Sequence, residues 1–385
     1  MQKLLLSENR LHWFREYYIL FLQKIPVSRE KSVRFSDSFG SCAAAPFRKE
    51  GILMSSIFLG KESNVRRVWT EPLCLLLEQE AALESRTVYD RERILAEGPF
   101  PQVREVFSTW GMPVLSEEEI RANFPNLEAV YYAAGSVQRF ARPFLNCGVR
   151  VHSAWAANAV PVAEFTFAEI SLANKGFFLN CRRYSQADFT GARAVFTEEP
   201  GNFGIRVGLI GVGMIGSMVA QKLQALDVEV LGFDPFLSDE RAAALHVRKA
   251  SLEEIFSECQ TVSNHLANNP QTVGMLDYAL FSRLPHGAVF LNTARAAQVV
   301  EEDLIRFLQE RPDACAVLDV GIKEPLPPED PLYRLPNAFL TTHIAGSSGN
   351  EVQRMAQYML AERRRVEAGE APLYRVTAEM LKTMA

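Results

Sequence analysis

A chain of 385 residues with 48% hydrophobic and 23% charged side chains has the composition of a globular protein of two or three domains, which excludes an intrinsically disordered chain. Its 46 acidic and 41 basic residues leave a formal net charge of −5, so it carries no charge footprint for nucleic acid or for an anionic membrane surface. Six cysteines (Cys42, Cys74, Cys147, Cys181, Cys259 and Cys315) show no CxxC spacing and no neighbouring histidine. That argues against a zinc site or a disulfide framework and for reduced thiols in a cytoplasm.

No run approaches the roughly 18 apolar residues of a membrane span. Tyr17 to Leu22, flanked by Arg15 and Lys24, is also too short for a signal-peptide core. Residues 1–53 read as a poorly defined N-terminal extension, with Ser36 to Ser41 unstructured and Met54 an alternative start. A peripheral helix over Leu11 to Leu22 and a targeting segment are the other readings.

From Glu71 to Trp155 helix-like and strand-like segments alternate. Ser116-Glu117-Glu118-Glu119 predicts a capped helix, and the apolar runs Ala129 to Ala134 and Val149 to Val151 predict strands. A helix is expected from Val162 to about Gly176, followed by a polar passage from Ser185 to Gly204 that reads as a connection between domains. Strands are then expected at Ile205–Ile210, Val228–Phe233, Thr261–His265, Ala288–Asn292, Ala314–Val320 and Phe339–Thr342. Between them lie helices such as Ser217–Leu226, the capped Ser251–Glu258 and Glu301–Gln309. This alternation predicts βαβ units and a parallel sheet covered on both faces. A last helix over Asn350 to Gly369 lies beyond the final strand and is placed to cross back to the first domain.

The strand ending at Ile210 runs into Gly211-Val212-Gly213-Met214-Ile215-Gly216 and then a helix. Gly211 permits a tight turn, Gly213 lets backbone amides approach a pyrophosphate, and Gly216 lets the helix pack close to the sheet. Asp234 ends the next strand at the distance expected of a ribose-binding carboxylate, which repels a 2′-phosphate and favours NAD over NADP. The plainer alternatives are a tight βα turn for the glycines and a solvated strand end for Asp234.

Three further segments close later strands: Asn292-Thr293-Ala294-Arg295, Lys323-Glu324-Pro325 after Leu318-Asp319-Val320, and Thr341-Thr342-His343-Ile344-Ala345-Gly346. A fixed cation, a carboxylate and an imidazole at the carboxyl ends of parallel strands suit hydride transfer to a 2-oxo acid. Arg295 would grip the carboxylate at two points, His343 would give a proton to the carbonyl oxygen, and Glu324 would orient the imidazole. A structural salt bridge for Arg295, a packing role for His343 and a solvated turn for Glu324 are the alternatives. His152, His246, His265 and His286 are isolated and read as surface or core residues, as do Tyr131, Tyr132 and Trp155.

The glycine fingerprint, Asn-Thr-Ala-Arg, Leu-Asp-Val, Glu-Pro-Leu-Pro and His-Ile-Ala-Gly, in this order, resemble the D-isomer-specific 2-hydroxyacid dehydrogenases over about Ala129 to Gly369. The resemblance implies an α/β protein of two Rossmann-like or flavodoxin-like domains with parallel sheets. An NAD domain (166–346) would be inserted in a discontinuous substrate domain (54–165 and 347–385). It implies catalytic Arg295, Glu324 and His343, with Asp319 on the nicotinamide carboxamide. Backbone groups of Met214, Ile215, Thr293 and Ala294 would hold the dinucleotide, beside Gly211, Gly213, Gly216 and Asp234. Gly135 and Ser136 would offer amides to the substrate carboxylate, and Asn158 to Glu164 resembles the stretch entering the interdomain helix.

Ala296 and Ala267 replace the Gly and Pro usual in the family, and Ala134 to Gln138 departs from its common substrate loop. The function implied is an NAD-dependent oxidoreductase of a small 2-hydroxy or 2-oxo acid, working as a homodimer without nucleic acid, membrane or metal. A non-catalytic NADH-sensing, corepressor-like protein on the same scaffold is the alternative, and oxidation of formate or phosphite would use the same fold.

Overall fold

The computed structural model describes residues 55–382, so the expectations for residues 1–53 and for Met54 lie outside the described residues. The first unit is built on five parallel strands: β1 (Ser55–Leu59), β2 (Leu83–Tyr89), β3 (Val103–Ser108), β4 (Ala129–Tyr132) and β5 (Arg150–Ser153). They lie in the order 2-1-3-4-5, the flavodoxin-like doubly wound arrangement. Helices α1 (Glu62–Val68), α2 (Glu71–Glu80), α3 (Arg91–Glu97), α4 (Glu117–Asn123) and α5 (Ala141–Asn146) connect them. The expected capping box opens α4: the Ser116 hydroxyl accepts the Glu119 amide while the Glu119 carboxylate accepts the Ser116 amide.

The crossing to the second unit is α6 (Trp155–Ala173), a 19-residue helix with Pro161 inside it. The sequence suggests a start at Val162, because proline removes an amide and usually opens a helix; here an alanine-rich turn and a half precede it. Its first turns pack Ala157 into the core of the first unit, and its later turns pack Ala163, Ile170 and Ala173 into the second. One continuous helix therefore serves both cores, and residue 165 falls inside it.

The passage from Ser185 to Gly204 is not an interdomain connection. Helices α7 (Phe177–Ser185) and α8 (Phe189–Glu198) form a hairpin there, the second capped by Asp188, whose carboxylate accepts the Gly191 amide at 2.8 Å. The hairpin leans on the second unit through Phe178 against Phe339 and the Arg182 guanidinium over the same ring.

The second sheet holds β6 (Phe203–Ile210), β7 (Asp227–Phe233), β8 (Val247–Lys249), β9 (Thr261–Asn264), β10 (Val289–Asn292), β11 (Cys315–Leu318) and β12 (Ala338–Leu340). All are parallel, in the order 8-7-6-9-10-11-12. Helices α9 (Met214–Leu223), α10 (Asp239–Ala244), α11 (Leu252–Glu258), α12 (Tyr278–Phe281) and α13 (Glu301–Glu310) cover its faces. The strand order reverses between β6 and β9, where the crevice beyond the strand ends receives ligands in this architecture.

The chain then returns. Helix α14 (Val352–Glu367) buries Val352, Met355, Ala356, Met359 and Leu360 in the first core, and β13 (Arg375–Val376) adds an antiparallel strand beside β5. Two buried pairs fix this return: Arg363 to Glu105 at 2.7 Å, and His152 to Glu362 at 2.9 Å.

Candidate active site

The glycine loop has the shape of a dinucleotide cradle. At Gly211, whose φ is +89°, a Cβ would lie 2.8 Å from the His265 carbonyl oxygen; at Gly216 it would lie 2.1 Å from that of Gly211. Neither position tolerates a side chain, because strand, turn and helix meet there. At Gly213 a Cβ would meet nothing within 4 Å, so it would protrude into the open space before α9. No side chain caps that helix, leaving the first-turn amides of Met214 and Ile215 directed at a ligand position with the favourable end of the helix dipole. These features fit a pyrophosphate.

Asp234 follows β7 as expected and is tied into the loop: one carboxylate oxygen accepts the Val212 amide at 2.9 Å, the other the Phe236 amide at 2.8 Å. The carboxylate is thereby fixed at the end of β7 beside the glycine loop. Arg241 reaches the same turn, donating to the Val212 carbonyl oxygen at 3.1 Å.

At the far strands, His343 has a φ of +58°, a left-handed conformation unusual for a residue with a side chain. Its Nδ1 lies 2.9 and 3.1 Å from the two carboxylate oxygens of Glu324. Burial pushes the Glu324 carboxyl up, but the His343 hydrogen bond, the Gly321 amide and the charges of His343 and Arg295 outweigh it and hold it below the usual carboxylate range. Glu324 thus lies within the field of both other members of the expected trio.

Asp319 is 2% exposed. One oxygen accepts the Thr341 hydroxyl at 2.5 Å and the Ile344 amide at 2.7 Å, and the other accepts the Ala345 amide at 2.9 Å. The carboxylate therefore holds the segment around His343, by a side-chain hydroxyl before it and two backbone amides after it. The Ala294 amide donates to Asn292 Oδ1 at 3.1 Å and its carbonyl oxygen accepts the Arg295 guanidinium at 2.6 Å, so both polar main-chain atoms of Ala294 are engaged inside their own loop. Thr293 is bonded across to the interdomain helix, Oγ1 to Thr166 Oγ1 at 2.9 Å.

The Arg295 backbone is held by residues without a local signal in the sequence. Its amide donates to Gln298 Oε1 at 3.1 Å and its carbonyl oxygen accepts Asn292 Nδ2 at 3.0 Å, while Asn264 Nδ2 donates to both Gln298 Oε1 and Asn292 Oδ1. Asn264, Asn292 and Gln298 are all buried. Together they form an amide network beneath the arginine loop.

The loop carrying Gly135 and Ser136 leaves the end of β4. The Ser153 hydroxyl donates to the Ala134 and Gly135 carbonyl oxygens at 2.9 and 2.6 Å. Asn158 joins this loop to the histidine segment: its Oδ1 accepts the Ser347 amide at 3.1 Å, and its amide group lies 3.9 Å from the Cβ position of Gly135 and 3.5 Å from that of Gly346. Gly135 and the segment after His343 therefore meet at one side chain on α6. Of the remaining histidines, His265 is held neutral by burial, its pKa pushed down to about 4, and His152 is a core residue.

A doubly wound sheet with a glycine cradle at its switch point and an Arg, Glu and His set after later strands of the same sheet, joined to a second, largely parallel sheet, defines a two-domain dinucleotide-binding protein. Residues 180–345 match the NAD binding domain of the D-isomer specific 2-hydroxyacid dehydrogenases, so this stretch is a domain of that type, with NAD as its cofactor. The YoaD protein of Bacillus subtilis (strain 168), whose name assigns it to the 2-hydroxyacid dehydrogenases, is 38% identical over 148 residues, 38% of this chain and 42% of that protein. D-3-phosphoglycerate dehydrogenase of Archaeoglobus fulgidus is 33% identical over 159 residues, 41% of this chain and 30% of that one. The matched stretch thus spans less than half the length of these curated relatives.

Among solved structures, the NAD-complexed D-isomer specific 2-hydroxyacid dehydrogenase of Lactobacillus delbrueckii ssp. bulgaricus aligns with a TM-score of 0.69 at 19% identity, over 84% of this chain and 100% of that one. A phosphoglycerate oxidoreductase of Rhizobium etli aligns with a TM-score of 0.69 at 20% identity, over 86% and 100%. At these identities the likeness is one of fold.

Proposed function

We propose that the protein is an NAD-dependent oxidoreductase that interconverts a small 2-hydroxy acid and the corresponding 2-oxo acid. The observation that carries this reading is the His343 to Glu324 pair set in the field of Arg295 at the carboxyl ends of the NAD-domain strands. When bound, the nicotinamide supplies or accepts the hydride. Arg295 binds the substrate carboxylate and polarises the neighbouring carbonyl, since its guanidinium is absent from the ion pairs of the described residues and donates only to the Ala294 carbonyl oxygen. His343 gives a proton to the carbonyl oxygen in reduction and takes it back in oxidation, and Glu324 fixes the ring through Nδ1 so that Nε2 faces the substrate. Backbone amides of Gly135 and Ser136 complete the carboxylate site from the opposite wall.

Residues 54–165 with 347–385 form the substrate domain in this reading and 166–346 the NAD domain. The protein works in the cytoplasm as a two-fold homodimer paired through the NAD domain. Supporting this, the α7 to α8 hairpin exposes Phe177, Tyr184, Phe189 and Phe196, with Phe203 just beyond, an aromatic face unusual on a monomer. Light scattering at twice the 43.2 kDa chain mass is expected. NADH oxidation measured against a panel of 2-oxo acids tests the activity. Turnover of at least one acid is expected, and tight NADH binding without turnover of any would replace the enzyme by the NADH-sensing reading.

A further inference from the structure

Glu169 lies in the middle of α6, is 6% exposed, and its Oε2 is buried with no hydrogen-bond partner. A carboxyl oxygen without a donor inside a protein costs stability and needs a reason. Its position supplies one. Thr166 is one helical turn before it on the same face, and Thr166 bonds Thr293 of the arginine loop, so that face of α6 looks onto the loop that follows β10. Asp319 ends β11 and acts electrostatically on Glu169. Two buried carboxyls are therefore coupled beside the place where the interdomain helix meets the arginine loop. Asp319 is an acceptor on both oxygens, whereas burial first, and Asp319 second, push the Glu169 carboxyl up to about 8.

Of the other charged groups on the elements packed against α6, Arg354 of α14 keeps one buried guanidinium nitrogen without a hydrogen-bond partner, and the following are engaged elsewhere. Lys222 of α9 pairs with Glu164 on a different face of the helix, Arg363 of α14 pairs with Glu105 and Glu367, and Glu362 pairs with His152. His265, after β9, bonds Ser263 and is held neutral by burial.

We propose that Glu169 is a proton site that reads the redox state of the bound cofactor: it keeps its proton beside the uncharged reduced nicotinamide and releases it beside the cationic oxidised ring. This rests on the cofactor reading above. A cation brought against a buried pair of carboxyls favours the second ionisation, and by linkage that ionisation favours the cation. The balance is simple: protein carboxylic acid plus NAD⁺ gives the carboxylate complex plus one proton to solvent, while NADH binds with no change in protonation of Glu169.

Calorimetric titration of the full protein with NAD⁺ and with NADH, at pH 7 in buffers of different ionisation enthalpy, counts the protons. About one proton released per NAD⁺ and none per NADH is expected, with NAD⁺ affinity rising by up to about tenfold per pH unit towards pH 8 and NADH affinity flat. Glu169→Gln should abolish the release and the slope while still binding both nucleotides, and Glu169→Leu should do the same by removing the carboxyl altogether. In His343→Ala the release should persist, since the proton does not come from the imidazole. Equal proton counts for the two nucleotides, or a release that survives Glu169→Gln, would overturn the proposal while leaving the cofactor reading intact. Failure of the wild type to bind either nucleotide would overturn both.

Discussion

Asp319 accepts the backbone amide of Ile344 at 2.7 Å, so the carboxylate that ends β11 sets the path of the chain next to His343. The same carboxylate takes the Ala345 amide and the Thr341 hydroxyl, which holds His343 in its left-handed conformation. Asp319→Ala strands the buried Ala345 amide, at a cost of about 1–3 kcal/mol, and releases the part-buried Ile344 amide as well. The expected outcome is a lower denaturation midpoint together with a fall in kcat, because the imidazole loses its fixed placement. Unchanged kcat in a folded Asp319→Ala protein would show that the loop keeps its shape by other means.

His343 and Arg295 should separate in kinetics. His343→Ala should lower kcat by roughly 10²–10⁴, the contribution of a positioned general acid, with NADH binding nearly unchanged. Arg295→Ala should raise KM and depress kcat together. Arg295→Lys should restore neither fully, since a point charge makes no two-point contact. Steady-state rates and NADH fluorescence titration on the same samples distinguish these outcomes.

Glu324→Gln should move the upper limb of the pH profile for reduction to lower pH. The His343 hydrogen bond and charge hold the Glu324 carboxyl below its usual range, and an uncharged amide in its place gives up that charge pairing. A limb that stays in place would show that the pairing is one of geometry alone.

Asp234 should set the choice of nucleotide. With its carboxylate fixed by the Val212 and Phe236 amides, NAD(H) should bind at least about tenfold better than NADP(H), a difference of ~1.4 kcal/mol. Asp234→Ser should narrow the gap, with Arg241 left beside the turn to meet a 2′-phosphate. Titration with both nucleotides reads the ratio directly.

Glu169 should make stability depend on pH. Its folded-state value, about 8, is above the ordinary 4.5, so the fold is relatively favoured below pH 4.5 and loses that advantage as pH rises to about 8. Glu169→Leu removes the dependence, and its stabilising effect should grow between pH 5 and 8 by about 1.4 kcal/mol per unit of the shift that is relieved. Denaturant midpoints at several pH values test this; a difference that does not change with pH would mean the carboxyl ionises equally in both states.

Local rules made the cofactor half of this molecule readable. Gly211, Gly213 and Gly216 are required by close approaches that leave a fixed spacing in the chain, and the capping boxes at Ser116 and Ser251 are written within four residues. The residues that hold Arg295 in place were not readable, because Asn264 and Gln298 lie 34 positions apart and act through a buried network that only the folded sheet assembles. Helix α8 was hidden for a different reason: a polar run interrupted by Gly191 has the composition of a loop, and its helicity comes from the Asp188 cap and from packing against α7. Pro161 misplaced the start of α6 in the same way, since tertiary burial of the alanine turn before it outweighs a missing hydrogen bond. Glu169 carried no signal at all; a glutamate in a helix is ordinary until its surroundings are known.

The chain passes between the two sheets twice, once along α6 and once through the segment leading to α14, and the Asn158 to Ser347 bond laces these passages together. Two tethers fastened side by side behave as the pin of a door: they leave a swing about the line through them and resist sliding or twisting of one unit on the other. The cleft would then open and shut along a single path, and each closure would return the walls carrying Gly135 and His343 to the same register. Cutting the lacing, with Asn158→Ala, would leave both tethers in place and free the pin to wobble.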